Sequence, residues 1–202
     1  PAGGLTVAHA NSWQKVWQVD SYEPDPIIKG LYGLGAMASY NGYLYWGTMH
    51  SPGAAFGAVL KKYAIGTIGL PTAYFSSWRA TAIFRAANFD KAANVELLYG
   101  DAKLPVYVSS FLGGTWASRP NNMGGVAGKY GTAGFGNIYN NYTWIMSVYK
   151  NQLFVGTMDN SYLWLDWDNL MFGWLEGQYI SIPPLWTPSE EEYGADLWRF
   201  PS

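Results

Sequence analysis

The stretch Met37–His50, MASYNGYLYWGTMH, returns at Met146–Asp159 as MSVYKNQLFVGTMD, in register and without a gap. The offset is 109 residues (146 − 37), and six of the fourteen positions are identical. A duplicated segment narrows the fold to architectures assembled from copies of one small unit. Each copy reads as a hairpin: an alternating strand, a two-residue turn, then a β-rich strand ending in Gly-Thr. Asn41-Gly42 is the strongest short hairpin signal a sequence carries. The following segment, Tyr43–Met49, is aromatic and apolar, as a half-buried sheet requires. The copies differ in two positions of chemical interest: Trp46 stands where the second copy has Val155, and His50 where it has Asp159.

A fainter third copy lies between them. Leu97-Leu98-Tyr99-Gly100 matches Leu44-Tyr45-Trp46-Gly47 and Leu153-Phe154-Val155-Gly156, and the three glycines are spaced by 53 and 56 residues. Short strands recurring near every 50 residues predict an all-β fold, an irregular propeller-like arrangement of short antiparallel sheets with long loops. The whole chain, 1–202, is expected to form one such domain, with repeat units near 30–66, 80–115 and 143–200. A second match, Gly57–Tyr63 (GAVLKKY) with Gly194–Phe200 (GADLWRF), predicts a further strand in each unit and an insertion over about 162–192 in the last. Gly113–Gly136 reads as a long Gly/Asn-rich loop. The opening SWQKVWQV is expected to pair with the closing LWRF in one sheet. Pro-rich segments and 24 glycines predict little helix, with a single turn after Ser189.

Bulk composition removes several functions. With a net charge of −2 and 13% charged residues, nothing in the chain predicts nucleic-acid binding. No run reaches 18 apolar residues, so no transmembrane helix is expected. Cysteine is absent, which excludes disulfides and thiolate metal sites. Low charge with 11 Trp and 16 Tyr points outside the cytoplasm, secreted or associated with the outer surface. The start at Pro1 reads as mature chain from which a signal peptide is already gone.

Chemistry must then come from few residues. Neutral imidazole is the commonest ligand for copper, zinc and iron, and His9 and His50 are the only two histidines. His50 ends a strand just before Ser51-Pro52-Gly53, at a loop, and adjacent units could bring His9 to it. Trp46, four residues earlier, shares its strand face, at about 13 Å in an ideal strand; Trp13 is a rival aromatic. Asp101, Asp159-Asn160, Asp166 and Asp168-Asn169 are loop oxygens of the kind calcium uses, so a structural Ca²⁺ is a second expectation. Trp164, Trp167, Trp174 and Trp186 in the insertion make carbohydrate binding or adhesion the alternative function. Catalysis has little support: there is no Gly-x-Ser-x-Gly elbow, no His-Glu-x-x-His and no P-loop, and the expectation is a protein that is not an enzyme. Paired carboxylates from Glu176, Glu190–Glu192 and Asp196 keep a hydrolase as a third reading.

A small, cysteine-free, Trp-rich chain with two histidines and propeller-like repeats resembles the methanotroph surface copper-binding proteins, copper-repressible or secreted. The resemblance implies one Cu(I) held by two histidines and an oxidised tryptophan, a kynurenine. On this sequence those residues are His9, His50 and Trp46. It further implies copper acquisition at the cell surface. The YNGYLYWGT and GADLWRF segments also resemble repeats of uncharacterised bacterial propellers.

Overall fold

A computed structural model describes residues 4–91, 94–111, 113–161 and 194–200. Both copies of the repeat form hairpins. The first is β1 (Tyr32–Tyr40) with β2 (Tyr43–His50), the second β7 (Asn140–Tyr149) with β8 (Gln152–Asp159). Both turns hold two residues with left-handed backbone: Asn41 and Gly42 at φ 48° and 77°, Lys150 and Asn151 at φ 46° and 58°. This is the turn whose twist matches that of the strands it joins.

The remaining strands are β3 (Ile83–Ala86), β4 (Glu96–Tyr99), β5 (Lys103–Ser110), β6 (Gly113–Pro120) and β9 (Leu197–Phe200). Seven strands form one curled antiparallel sheet, ordered β4-β3-β2-β7-β8-β9 with β1 on β2, and β5-β6 form a separate hairpin. The described chain is thus largely antiparallel β-structure. Each repeat hairpin gains a third strand at its second edge. Trp46 lies opposite Phe84 and Gly47 opposite Ile83 on β3; Val155 lies opposite Trp198 and Gly156 opposite Leu197 on β9. The next backbone bonds also correspond, Thr48 N–H to the Ala82 carbonyl (3.0 Å) and Thr157 N–H to that of Asp196 (2.9 Å). In the strand ladder the two three-stranded units are joined at one residue pair, Met49 with Tyr142.

This register corrects the expected third strand. Gly57–Tyr63 is not the partner of Gly194–Phe200; the spatial counterpart of GADLWRF is Ala80–Ala86, ATAIFRA, which aligns Arg85 with Arg199. Residues 57–62 belong instead to an α-helix, α1 (Pro52–Lys62). Pro52 opens it, where a missing amide hydrogen is tolerated. Ala55, Phe56 and Val59 then fall on one face and are buried. A second helix, α2 (Leu70–Ser77), packs against it, with Phe56 and Tyr74 rings 5.4 Å apart, edge to face. Helix is therefore sparse, as expected, but it occupies the place assigned to a strand.

Two further expectations fail. Residues 12–18 form no strand, and β9 pairs with β8, so SWQKVWQV does not share a sheet with LWRF. The first part of Gly113–Gly136 is a strand, β6, paired residue by residue with β5. Leu97–Tyr99 is β4, the outer strand on β3. The expected insertion and the turn after Ser189 lie outside the described residues.

Both faces of the first unit are buried, with the period of two that strands impose. Trp46, Phe84 and Leu97 point into one core with Tyr22, Val95 and Leu104. Tyr45, Ile83 and Leu98 point into another, shared with Met146, Leu153 and Val155 of the second unit. The helices add a third, around Ile28, Phe56, Val59, Tyr74 and Tyr139.

Candidate functional site

Trp46 has a packing explanation. It stacks on Phe84 (5.8 Å, 18° between planes), meets Trp17 edge-on at 5.4 Å and lies 5.7 Å from Phe89. In the second unit the tryptophan of this cross-strand pair sits on the other strand, Trp198 against Val155, where the first unit pairs Trp46 with Phe84. Cross-strand pairs of this kind stabilise a sheet whichever strand carries the larger residue. The indole N–H groups of Trp46 and Trp17 nevertheless are buried without a hydrogen-bond partner.

His50 has no such explanation. It is the last residue of β2, 0% exposed, and neither ring nitrogen has a hydrogen-bond partner. The Tyr32 ring lies 5.1 Å away. Its counterpart Asp159 is equally buried but fully engaged, accepting from Asn137 Nδ2 (2.7 Å) and the Ser161 amide (2.6 Å). A buried polar group left unpaired costs about 1–3 kcal/mol. One copy of the repeat has settled that cost and the other retains it.

Burial, with the nearby positive charge of Arg79 adding to it, lowers the His50 pKa from 6.5 to about 3. The imidazole is therefore neutral, the form that binds metals. Arg79 itself is neutralised by Glu23 at 2.7 Å, both residues buried. Glu23 Oε2 also accepts from the Tyr32 hydroxyl (3.2 Å). Sequence reasoning missed these neighbours. Glu23 sits in a Pro-rich stretch that signals only a helix break, and nothing around Arg79 marks it as interior.

The depressed pKa makes a pH dependence. Below about 6.5 the unfolded chain takes up a proton at His50 that the folded chain refuses until about 3. The unfolded state is favoured as pH falls through that window, by up to about 1.4 kcal/mol per unit. His50→Phe is expected to gain stability relative to the parent chain as pH drops from about 7 to about 4.5. Urea melts across that range measure it; parallel curves for the two proteins would contradict the burial of a neutral imidazole.

His9 stands in a different setting. It is half-buried in a short 3₁₀ turn, Val7–His9, where its Nδ1 accepts from the Thr6 amide at 3.0 Å. Most of residues 4–16 are exposed, Trp13 included. The described contacts do not bring the two imidazoles together. Further along, Trp17, Gln18 and Asp20 line a cavity of about 310 Å³ that reaches Tyr32, Leu34 and Thr48, beside His50 on the sheet. The segment that carries His9 therefore runs on to the wall of the space next to His50.

Of the calcium candidates, Asp159 is engaged as above, and Asp101 Oδ1 faces the Ala133 amide at 3.4 Å. Asp166, Asp168 and Asn169 lie outside the described residues, as do Trp164, Trp167, Trp174 and Trp186, and Glu176 and Glu190–Glu192. Among the described residues no three His, Cys, Asp or Glu side chains cluster as a metal site. No described helix is long and apolar enough to cross a membrane. No protein-family model, curated protein or solved structure matches the chain.

Proposed function

We propose that this is a copper-binding protein of the cell exterior, with His50 as the fixed ligand to one Cu(I) ion. The observation that carries the reading is the orphaned imidazole: buried, neutral, and without a partner for either nitrogen. Cu(I) accepts few ligands and favours soft or imidazole donors over carboxylates, which fits a site whose nearby charges are already paired. His9 is the second ligand, delivered by the N-terminal segment. Trp17 at the cavity wall is eight positions further on, a reach of up to about 27 Å when extended. Trp46 is the candidate for oxidation to kynurenine, with its N–H unpaired on the same strand. Copper acquisition follows as the role. A structural Ca²⁺ is a separate proposal, resting on the loop aspartates alone.

We also propose that the two units are propeller blades. The Tyr45 face of the first unit packs on the Leu153/Val155 face of the second. The residues equivalent to Leu153 and Val155 are Leu44 and Trp46, which point the other way. Copies that stack front to back continue into a ring, whereas front-to-front packing would close as a pair.

Competition titrations with a chromophoric Cu(I) chelator test the copper site. One equivalent of copper is expected to be retained, with affinity falling at least tenfold in His50→Ala and in His9→Ala. A chain that retains no copper after incubation and desalting, or binds it equally in both variants, would refute the site. An intact mass equal to that of the unmodified sequence removes the kynurenine while leaving the histidines in place.

A further inference from the structure

We infer that the cleft at the turn end of the first hairpin is a saccharide-binding site, holding one or two pyranose rings against tyrosine. The cleft encloses about 510 Å³, within the range of small-molecule sites. Its walls carry five tyrosines, Tyr40, Tyr43, Tyr45, Tyr99 and Tyr130. Asn41 and Arg85 add an amide and a guanidinium, and Phe200 enters from the last strand of the second unit. The site therefore exists only where the two copies meet.

The chemistry of the lining selects the ligand class. Tyrosine presents a rigid apolar face with a polar tip, which suits a ligand that is itself apolar on one face and hydroxylated at its edge. Two hydroxyls are already committed: Tyr40 donates to the Asn151 carbonyl at 2.8 Å, and Tyr45 accepts from Arg85 Nη1 at 3.4 Å. Those of Tyr43, Tyr99 and Tyr130 have no hydrogen-bond partner among the described residues. The Arg85 guanidinium carbon lies over the Tyr43 ring, 4.4 Å from its centre, and Nε and Nη2 are bonded to the two oxygens of Glu96. It thus offers a fixed N–H rather than a free positive charge. Lys129 shares the same carboxylate, so two cations and one carboxylate leave a single positive charge, while the Arg85 fork is already occupied by Glu96 rather than free to clamp a phosphate.

The second unit shows what the scaffold alone requires. At the matching positions it keeps a tyrosine and an arginine, Tyr149 and Arg199, but has Lys150, Gln152 and Phe154 in place of Asn41, Tyr43 and Tyr45. The hairpin folds without the Tyr43 ring and without the Tyr45 hydroxyl. These are the groups that turn an aromatic cluster into an amphipathic cleft.

The test uses the full chain and soluble oligosaccharides, both neutral and uronate-containing, with binding read by saturation-transfer NMR and calorimetry. At least one saccharide class should saturate a single site, and Tyr43→Ala and Tyr130→Ala should each weaken it at least tenfold. Tyr130 is half-exposed, and Tyr130→Phe, which keeps the ring, guards against loss of fold; it should weaken binding less than Tyr130→Ala. Chelators and His50→Ala should change nothing, which separates this site from the copper reading. Failure of every saccharide to saturate would overturn the inference. So would unchanged affinity in folded Tyr43→Ala, or an aromatic peptide occupying the cleft where sugars do not.

Discussion

Replacing Arg79 with alanine is expected to destabilise the protein by about 3–5 kcal/mol, far more than loss of an exposed charge. All five guanidinium N–H groups are used. Nε and Nη2 bond Glu23 at 2.7 and 3.1 Å, Nη2 also reaches the Pro105 carbonyl at 2.7 Å, and Nη1 holds those of Ser76 and Trp78 at 2.8 and 2.9 Å. One side chain thus ties the N-terminal segment to the end of α2 and to β5. Alanine would leave the Glu23 carboxylate buried at 0% exposure with its counter-charge gone. The double change Glu23→Gln with Arg79→Met removes both charges and should lose less than Arg79→Ala alone. Urea denaturation of the three chains decides it. A single variant no worse than the double would show that the ion pair does not hold these elements together.

Gly47→Ala should be nearly as damaging, and for a steric reason. A β-carbon at Gly47 would lie 2.5 Å from Thr143 Cβ, with Thr143 Cγ2 at 2.7 Å. Here β2 and β7 of the two units cross so closely that no methyl group fits, and strain of this kind costs about 1–3 kcal/mol. Thr143 cannot simply turn away, since its hydroxyl pairs with Thr81 at 2.7 Å. The equivalent Gly156 meets only Ile145 Cγ2 closely, at 2.7 Å, a branch methyl on a half-exposed side chain that has solvent to turn into, so Gly156→Ala should lose less. Gly57→Ala is the control. Nothing lies within 4 Å of its β-carbon position inside α1, and the change should stabilise by about 0.5–1 kcal/mol. Thermal or urea midpoints should fall in the order Gly57→Ala, parent, Gly156→Ala, Gly47→Ala. A parent-like Gly47→Ala would mean that the two units are not packed at this distance.

Strands and turns were legible where their signals are local. Asn41-Gly42 specifies its turn by backbone preference alone, and the aromatic, apolar run Tyr43–Met49 marks β2, although both of its faces are buried rather than one. The third strand of each unit was not legible. GADLWRF resembles GAVLKKY more closely than it does ATAIFRA, but residues 57–62 continue a helix opened by Ser51-Pro52, which buries Ala55, Phe56 and Val59 at helical spacing. Sequence likeness ranked the candidates one way, and packing against Tyr74 ranked them the other. His50 was legible as the exception within the repeat, but its burial was not. Its position beside Ser51-Pro52-Gly53 signals a loop, whereas the structure closes over it with Tyr32, brought from the start of β1 by register with His50 itself.

By itself the sequence determined the repeat, the hairpins with their turns, the absence of disulfides and thiolates, and the two imidazoles available to any metal. Those properties depend on residue identity and short-range backbone geometry, which need no distant partner. The tertiary structure alone decided which segment completes each unit, that Trp46 fills a core, and that His50 is neutral and unpaired beside a neutralised Arg79. It also decided that tyrosines from β1, β2 and β4 meet Phe200 in one cleft. Burial, charge pairing and convergence are sums over neighbours far apart in the chain, and only the packed fold fixes who those neighbours are.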